Sequence, residues 1–213
     1  MINAINDSKP RELVPAGSHV ARCYSMMHIG TNEEEYMGQK KKLNKVRITW
    51  ELPNELRVFE ESKGEQPMVI SKEYTLSMYE KANLRKELEG WRGKGFTENE
   101  AKSFDITKLL GVACMLSIIH KVSEGTKKEY AIIGGISGLP KGLICPAQIN
   151  SNFEFNFQNK FDLKVLESMP DFIKNKIKTS DEFKAITNPG EQDLTHNETF
   201  DGYNPNPETG LPS

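Results

Sequence analysis

The densest group of chemically useful side chains lies at residues 91–96, in the sequence WRGKGF. Trp91 and Phe96 carry flat rings that can stack on other flat rings, while Arg92 and Lys94 carry cations that can hold phosphate groups. The intervening glycines allow a backbone to approach a ligand closely. The stretch therefore predicts a site for a ligand that offers both flat rings and phosphates.

A structural interpretation of the same residues stays open. Trp91 and Phe96 would then fill the interior of the fold, and Arg92 and Lys94 would be ordinary surface charges. The sequence does not decide between these interpretations for Trp91, whereas for Phe96 it favours the interior.

A strand-like stretch at residues 19–29 offers another ring and another cation. Its side chains alternate between two faces, as those of a strand do. Arg22 and Tyr24 share one face, and we predict that this face points outward. The opposite, predicted core face consists of Ala21, Cys23, Ser25, Met27 and Ile29.

A second stretch, KVRITWEL, alternates more strictly. Lys45 and Arg47 lie on its polar face, which suits contacts with phosphates. Trp50 lies on the apolar face with Val46 and Ile48, so we predict that Trp50 is a core residue.

The elements that would position these residues follow in order. Residues 68–78 form a predicted third strand, on which Tyr74 is a candidate for stacking. Ser77 and Glu80 have capping-box spacing, which predicts a helix that begins near residue 78 and ends at Gly90. Thr97, followed by Glu98 and Glu100, starts another short helix.

The later segments complete a β-rich pattern. A brief helical turn near residue 105 precedes a predicted strand at residues 112–122 that is buried on both faces. The next stretch, YAIIGGISGLPKG, predicts a fifth strand with a bulge at Gly134 and Gly135 and a turn that exposes Lys141 as a phosphate contact. Residues 53–67 are predicted to form a long turn.

The connection at residues 33–42 carries three acids and then three lysines. A solvated loop is the favoured interpretation of such a charge run, and a flexible basic loop beside a binding groove is the alternative.

Three strands, a helix and two more strands predict a mainly β protein with helices, specifically a five-stranded OB-type barrel with a helix between strands three and four. Phe153, Phe155 and Phe157 alternate before short helices that end near Ser180, which predicts a helical extension with its aromatics in the core. We therefore divide the chain into a flexible leader (1–12), an OB-type nucleic-acid-binding domain (13–150), a helical extension packed on the barrel (151–188) and a disordered acidic tail (189–213).

Composition and charge agree with this division. With 37% hydrophobic and 27% charged residues, no long apolar run and no signal-like start, the chain is expected to be cytoplasmic and away from membranes. Three cysteines far apart in sequence suit reduced thiols. Residues 189–213 hold five acids and no Lys or Arg, so the formal charge of −2 becomes +3 once these five negative charges are set aside.

Several blocks together resemble phage-encoded, OB-type single-stranded-DNA-binding replication proteins. They are VPAGSHVARCY, KVRITWELP, YTLSMYEKANLRKELEGWRGKGFT, FDITKLLGVACML and LPKG, and they span residues 14–169 with the segment that follows them. The resemblance implies sequence-tolerant coating of single strands in a bacterial host cell, without catalysis, and an acidic tail that recruits replication or recombination proteins. Bacterial single-strand binders usually end in an acidic run closed by an aromatic residue, whereas this chain ends in GLPS.

The sequence offers no P-loop, no paired cysteine spacing for zinc and no pair of histidines at helical spacing, so we expect no catalytic residue, metal or cofactor. Two alternatives remain: a protein-interaction module of a phage or mobile element, and a metal-dependent nuclease that uses Glu33, Glu34 and Glu35. A homo-oligomer is compatible with the sequence. The predicted nucleic-acid contacts are Arg22, Tyr24, Lys45, Arg47, Tyr74, Trp91, Arg92, Lys94 and Lys141.

Overall fold

A computed structural model describes residues 12–36, 38–158 and 160–188 of the chain. Its main feature is one sheet with the strand order β3-β2-β1-β4-β5, in which β6 pairs with β1. All neighbours are antiparallel except β1 and β6. The strands are β1 (Gly17–Tyr36), β2 (Gln39–Val58), β3 (Glu65–Thr75), β4 (Ala113–Val122), β5 (Glu129–Ser137) and β6 (Phe153–Phe155).

Helices fill three places in the chain order. Between β3 and β4 lie α1 (Asn83–Arg92), α2 (Glu98–Ser103) and a 3-10 helix (Ile106–Leu109). After β6 come α3 (Leu163–Ser168), α4 (Asp171–Thr179) and α5 (Asp181–Thr187), and another 3-10 helix (Glu61–Lys63) separates β2 from β3. The mainly β class and a helix between the third and fourth strands are therefore confirmed. Helices also follow β6, but they continue past Ser180 to Thr187.

Two bulges make β1 change faces. Cys23 pairs with Trp50 and Ser25 with Thr49, so Tyr24 is an extra residue, and Ile29 is extra in the same way. Each extra residue reverses the alternation of the strand. The prediction of one continuous core face is wrong: Cys23 and Met26 join one core, while Met27 joins another.

The two cores lie on opposite sides of β1. The larger core fills the space between the curved sheet and α1, and Trp50 lies fully buried in it, as predicted. The second core packs β6, α3 and α4 against β1 through Met27, Ile29, Phe155, Leu166, Met169, Ile173 and Ile177. Phe155 is buried and Phe153 and Phe157 pack against this core, so the prediction that this aromatic stripe is core is confirmed.

The second bulge lets α5 lie directly on β1. Gly30 has φ +86°, and a Cβ there would come within 2.6 Å of the Ser180 Cβ. Glu182 accepts hydrogen bonds from the Thr31 backbone N–H (2.6 Å) and hydroxyl (2.8 Å). The glycine and this carboxylate together fix the C-terminal helices to the sheet.

The connection predicted at residues 33–42 is a two-stranded arm, because β1 continues to Tyr36 and β2 begins at Gln39. Glu33, Glu34 and Glu35 lie across from Lys42, Lys41 and Lys40 respectively. Opposite charges on facing strands stabilise such a ladder. The long turn predicted at residues 53–67 is likewise mostly β2 and β3.

The predicted bounds of α1 are wrong at both ends. Ser77 and Glu80 precede the helix, which begins at Asn83 without a side-chain cap. The helix passes through Gly90, where a Cβ would come within 2.7 Å of the Ile136 carbonyl oxygen of β5. Gly93, with φ +70°, is the residue that ends α1. Gly90 therefore permits close packing, and Trp91 is helical.

Other local predictions are confirmed. Thr97 and Glu100 form a capping box at the start of α2, and Asp105 caps the following 3-10 helix. Gly134 is the extra residue of a bulge between β4 and β5. β4, however, buries only one face, because Cys114, Leu116 and Ile118 are buried while alternate residues are open.

The two edge strands, β3 and β5, are joined by side chains. Lys72 donates to the Ile133 carbonyl oxygen of β5 (3.2 Å) and forms an ion pair with Glu87 of α1. Tyr74 also donates to Glu87. The backbone ladders of the described residues form an open six-stranded sheet, whereas the sequence predicts an OB-type barrel of five strands.

All three cysteines are free, and burial raises the pKa of the Cys23 thiol to about 12. No helix among the described residues is long and apolar enough to cross a membrane. Nearly all of the predicted leader and the whole predicted acidic tail lie outside the described residues.

Candidate nucleic-acid interface

The side of β1, β2 and β3 that points away from the larger core carries the predicted Tyr24 and Arg47. Adjacent rows bring Met27, Arg47 and Glu73 together, and then Ser25, Thr49 and Ser71. We call the part formed by Tyr24, Arg47, Thr49, Ser71 and the α4 residue Phe172 the outer face. It combines rings, hydroxyls and a cation, although Thr49 is buried and its hydroxyl lies 2.9 Å from the Ser71 hydroxyl.

Arg47 is the central cation of the outer face. Its guanidinium lies 5.3 Å from the centroid of the Phe172 ring, a cation–π distance. Phe172 is 56% exposed, so a large part of this aromatic side chain is open to solvent. A base could stack on the open ring while a phosphate approaches the guanidinium.

Glu73 partly neutralises the positive charge of Arg47. Its carboxylate contacts Arg47 at 3.2 Å and Lys176 of α4 at 2.8 Å. Burial opposes ionisation of this carboxyl group, but Lys176 and Arg47 outweigh that effect and lower the pKa of Glu73. Two cations therefore share one anion, which leaves the group with a net positive charge.

Tyr24 owes its position to the first bulge of β1. Burial raises the pKa of its hydroxyl, the charge of Glu51 raises it further, and Arg47 opposes the rise. The ring is half-buried and the phenol is neutral at physiological pH. Tyr24 can thus offer both a ring surface and a neutral hydroxyl to a ligand.

The segment after β5 borders the outer face on one side. Glu51 is fully buried there and accepts hydrogen bonds from the Ile149 N–H (2.9 Å), the Asn150 N–H (2.7 Å) and the Asn150 side-chain amide (2.7 Å). Arg22 donates to the Pro146 carbonyl oxygen of the same segment (2.9 Å) and to the Gly111 carbonyl oxygen just before β4 (2.6 Å), so it links the two. The predicted phosphate contact Arg22 is therefore engaged in a structural clamp.

The remaining predicted residues do not join the outer face. Lys45 is paired with Glu34 at 2.5 Å, and Tyr74 is buried with its hydroxyl on Glu87. Lys141 is exposed on the turn after β5.

Trp91 and its neighbours lie at α1 instead. Trp91 is only 5% exposed, its ring lies 5.9 Å from Trp50, and its indole N–H donates to the Ala113 carbonyl oxygen (3.0 Å). Trp91 lies in α1 and not in the predicted loop, and its burial agrees with the interior interpretation that the sequence left open; its buried ring offers no surface for stacking.

Arg92 and Lys94 do come together, near α2. Arg92 lies over the Phe96 ring at 3.8 Å, and both cations approach Glu100, at 3.3 Å and 3.7 Å respectively. Phe96 is buried, as predicted.

Phe172 is the aromatic member of the outer face that sequence reasoning missed, and Thr49 and Ser71 are further members outside the predicted contacts. Phe172 belongs to a stretch whose apolar residues were all assigned to packing, although Ile173 and Ile177 alone form the buried stripe of α4. The helical spacing of those two isoleucines places Phe172 off the stripe, and this was the available signal.

Exposed lysines lie on two connections of the sheet. Lys41 is on the β1–β2 arm, and Lys121, Lys127 and Lys128 are at the β4–β5 turn. None of these four forms an ion pair with another described residue, whereas Lys40 and Lys42 are paired with Glu33 and Asp181. Within the described ranges, no three His, Cys, Asp or Glu side chains form a group suited to a metal ion.

Neither a protein-family model nor a curated protein nor a solved structure matches this chain.

Proposed function

We propose that the chain is an OB-type protein that binds single-stranded DNA without catalysing a reaction. Support comes from the topology: β1 pairs with β2 and β4, and α1 lies between β3 and β4, the arrangement expected of a partly open five-stranded OB barrel to which β6 has been added. In that fold the face of strands two and three and the loops β1–β2 and β4–β5 bind oligonucleotides.

The observation that carries the proposal is the Arg47–Phe172 pair, beside Tyr24 on the outer face. Bases of any sequence would stack on the rings, because every base has a flat π-face, and each stack contributes about 1–3 kcal/mol. Arg47 would hold the phosphate between stacked bases. Binding would therefore tolerate any sequence.

The lysines at the two connections would add long-range attraction. Lys41 on the arm and Lys121, Lys127 and Lys128 at the turn are free of ion pairs among the described residues and can contact phosphates. Each such contact releases counterions, so affinity would fall steeply with salt.

The sequence resemblance supplies the biological setting of the proposal. It favours protection of single strands during phage DNA replication or recombination in the bacterial cytoplasm. The acidic residues of segment 189–213 would recruit replication or recombination proteins.

An anisotropy titration tests this function. A fluorescent oligo-dT of about 30 nucleotides, longer than the roughly 4–16 nucleotides that one OB fold covers, is titrated with the full chain. We expect saturable binding at low salt that weakens as salt rises, with weaker binding of duplex DNA of the same length. No anisotropy change at low salt, or equal affinity for duplex and single strand, would overturn the proposal.

A further inference from the structure

A second concave surface lies away from the outer face, at the end of the sheet where α2 and the following 3-10 helix meet β6. A cavity of about 760 Å³ there adjoins one of about 550 Å³, and the two share Thr107, Glu154 and Lys160. We call this joined surface the end groove.

The floor of the end groove is apolar and built from fixed elements. Met26, Val46 and Phe155 are buried beneath it, and Phe104 and Ile106 form part of its wall. Phe104 is held edge-on against Phe96, with ring centroids 4.9 Å apart. The wall thus rests on the WRGKGF stretch that the sequence singled out.

Lysines line the groove. Lys102 and Lys160 border the larger cavity, and Lys108 and Lys160 border the smaller. All three are exposed, and none forms an ion pair with another described residue. Unpaired cations around an apolar floor favour a ligand that is anionic along its length and has flat apolar parts.

The acids of the groove are already engaged. Asp105 accepts from the Thr107 hydroxyl (2.7 Å) and N–H (3.0 Å), and the Thr107 hydroxyl, the Thr107 N–H and the charge of Lys108 together lower its pKa. Glu154 accepts from the Asn156 side-chain amide at 2.7 Å. Three lysines against these two carboxylates leave the groove with a net positive charge.

We propose that the end groove is a second contact surface for single-stranded nucleic acid, in which Lys102, Lys108 and Lys160 hold phosphates and the apolar floor receives a base. The inference rests on the proposed function and assigns a further part of the strand to a surface outside the face of strands two and three. A strand that engages both surfaces makes more phosphate contacts than the outer face alone supplies.

The test removes the three charges together. The variant Lys102→Gln, Lys108→Gln, Lys160→Gln is compared with the control Lys81→Gln, Lys86→Gln, Lys184→Gln, which changes three exposed lysines elsewhere. Affinity for the oligo-dT of about 30 nucleotides is measured over a salt series. For a single strand, each phosphate contact contributes roughly −0.7 to the slope of log K against log salt concentration. Loss of three contacts should therefore make the slope of the groove variant shallower by about 2.

The outcomes separate the two proposals. If the wild-type chain does not bind oligo-dT, the proposed function fails. If the wild type binds and the groove variant keeps the slope of the control, the inference about the groove is overturned and the function stands. A peptide of residues 195–206 that binds the wild type but not the groove variant, with the DNA slope unchanged, would assign the groove to an acidic peptide and also overturn it.

Discussion

Glu73 sets the charge that the outer face offers to a ligand, because its carboxylate neutralises one of the two cations that contact it. Glu73→Gln removes that charge and keeps the shape of the side chain. We expect affinity for oligo-dT to rise by about two- to fivefold at low salt, because an ion pair of this kind contributes up to about 1 kcal/mol. Anisotropy titration measures this affinity. The control Glu61→Gln removes one negative charge away from the outer face and shows the effect of net charge by itself. A lower or unchanged affinity would contradict the assigned role of Arg47.

Trp91 stabilises the fold as part of the larger core. Trp91→Ala should lower the free energy of unfolding by about 3–5 kcal/mol, as expected for a large buried aromatic. Trp91→Phe should lower it by about 1–3 kcal/mol, since the Ala113 carbonyl oxygen loses its donor. Urea unfolding gives both values.

The affinity of the Trp91→Phe variant for oligo-dT separates packing from stacking. We expect it to equal that of the wild type within twofold. A tenfold loss of affinity in a folded Trp91→Phe protein would show instead that this ring contacts DNA.

At the residue scale, sequence reasoning succeeds where one period governs a whole strand. Strict alternation in β2 placed Trp50 in the core and Arg47 opposite it, and both positions are observed. It missed Phe172, although the helical spacing of Ile173 and Ile177 places that ring off the buried stripe, because the aliphatic residues around it made packing the simpler interpretation. For Trp91, the glycines nearby led to the incorrect prediction of a loop. Gly90 in fact lies within α1 and permits close packing against β5, and Gly93 ends the helix.

Among the elements, α5 depends on one carboxylate. Glu182 is held by the backbone N–H and hydroxyl of Thr31, and these bonds outweigh burial and lower its pKa below the usual 4.5. A lowered folded-state pKa stabilises the fold at pH values above about 4.5, and this contribution is lost as the pH falls through the folded value.

The variant Glu182→Gln tests the contribution of the Glu182–Thr31 hydrogen bonds to stability. It should unfold more easily than the wild type by about 1 kcal/mol at pH 7, because an ionised acceptor is replaced by a neutral one. The difference should shrink as urea unfolding is repeated at successively lower pH below 4.5, because the wild-type carboxyl group becomes protonated as the pH falls through its lowered folded-state pKa. The control Glu124→Gln, at the exposed β4–β5 turn, should match the wild type at each pH value. If the difference in the free energy of unfolding between wild type and variant stayed the same at low pH, the assigned role of the ionised Glu182 carboxylate would be contradicted.

The elements that sequence reasoning misplaced share a physical cause. The bulge between β4 and β5 is marked by Gly134, whereas the bulge at Tyr24 contains no glycine, so the reversal of faces there could not be predicted. The arm at residues 33–42 is stabilised by pairs of opposite charges on facing strands. These residues are charged, so the pattern of apolar residues could not reveal that they form strands.

For the whole molecule, the described residues that follow β5 cover part of the sheet. β6, α3 and α4 cover Met27 and Ile29 with a second core, and the segment before β6 covers Glu51. The sheet face that remains open is narrow and is bordered by Phe172 on one side. The helices of the predicted extension (151–188) therefore share a core with β1.

The central claim is that single-stranded DNA binds across the outer face, and a matched pair of double variants tests it most directly. Arg47→Ala with Phe172→Ala removes the cation and the exposed ring of the face, while Lys86→Ala with Tyr79→Ala removes an exposed cation and an exposed ring elsewhere. In one anisotropy titration with oligo-dT, we expect the outer-face variant to bind at least about tenfold more weakly than the wild type, the equivalent of one lost stack. The control should bind within twofold of the wild type. Equal affinities of the two double variants would contradict the account.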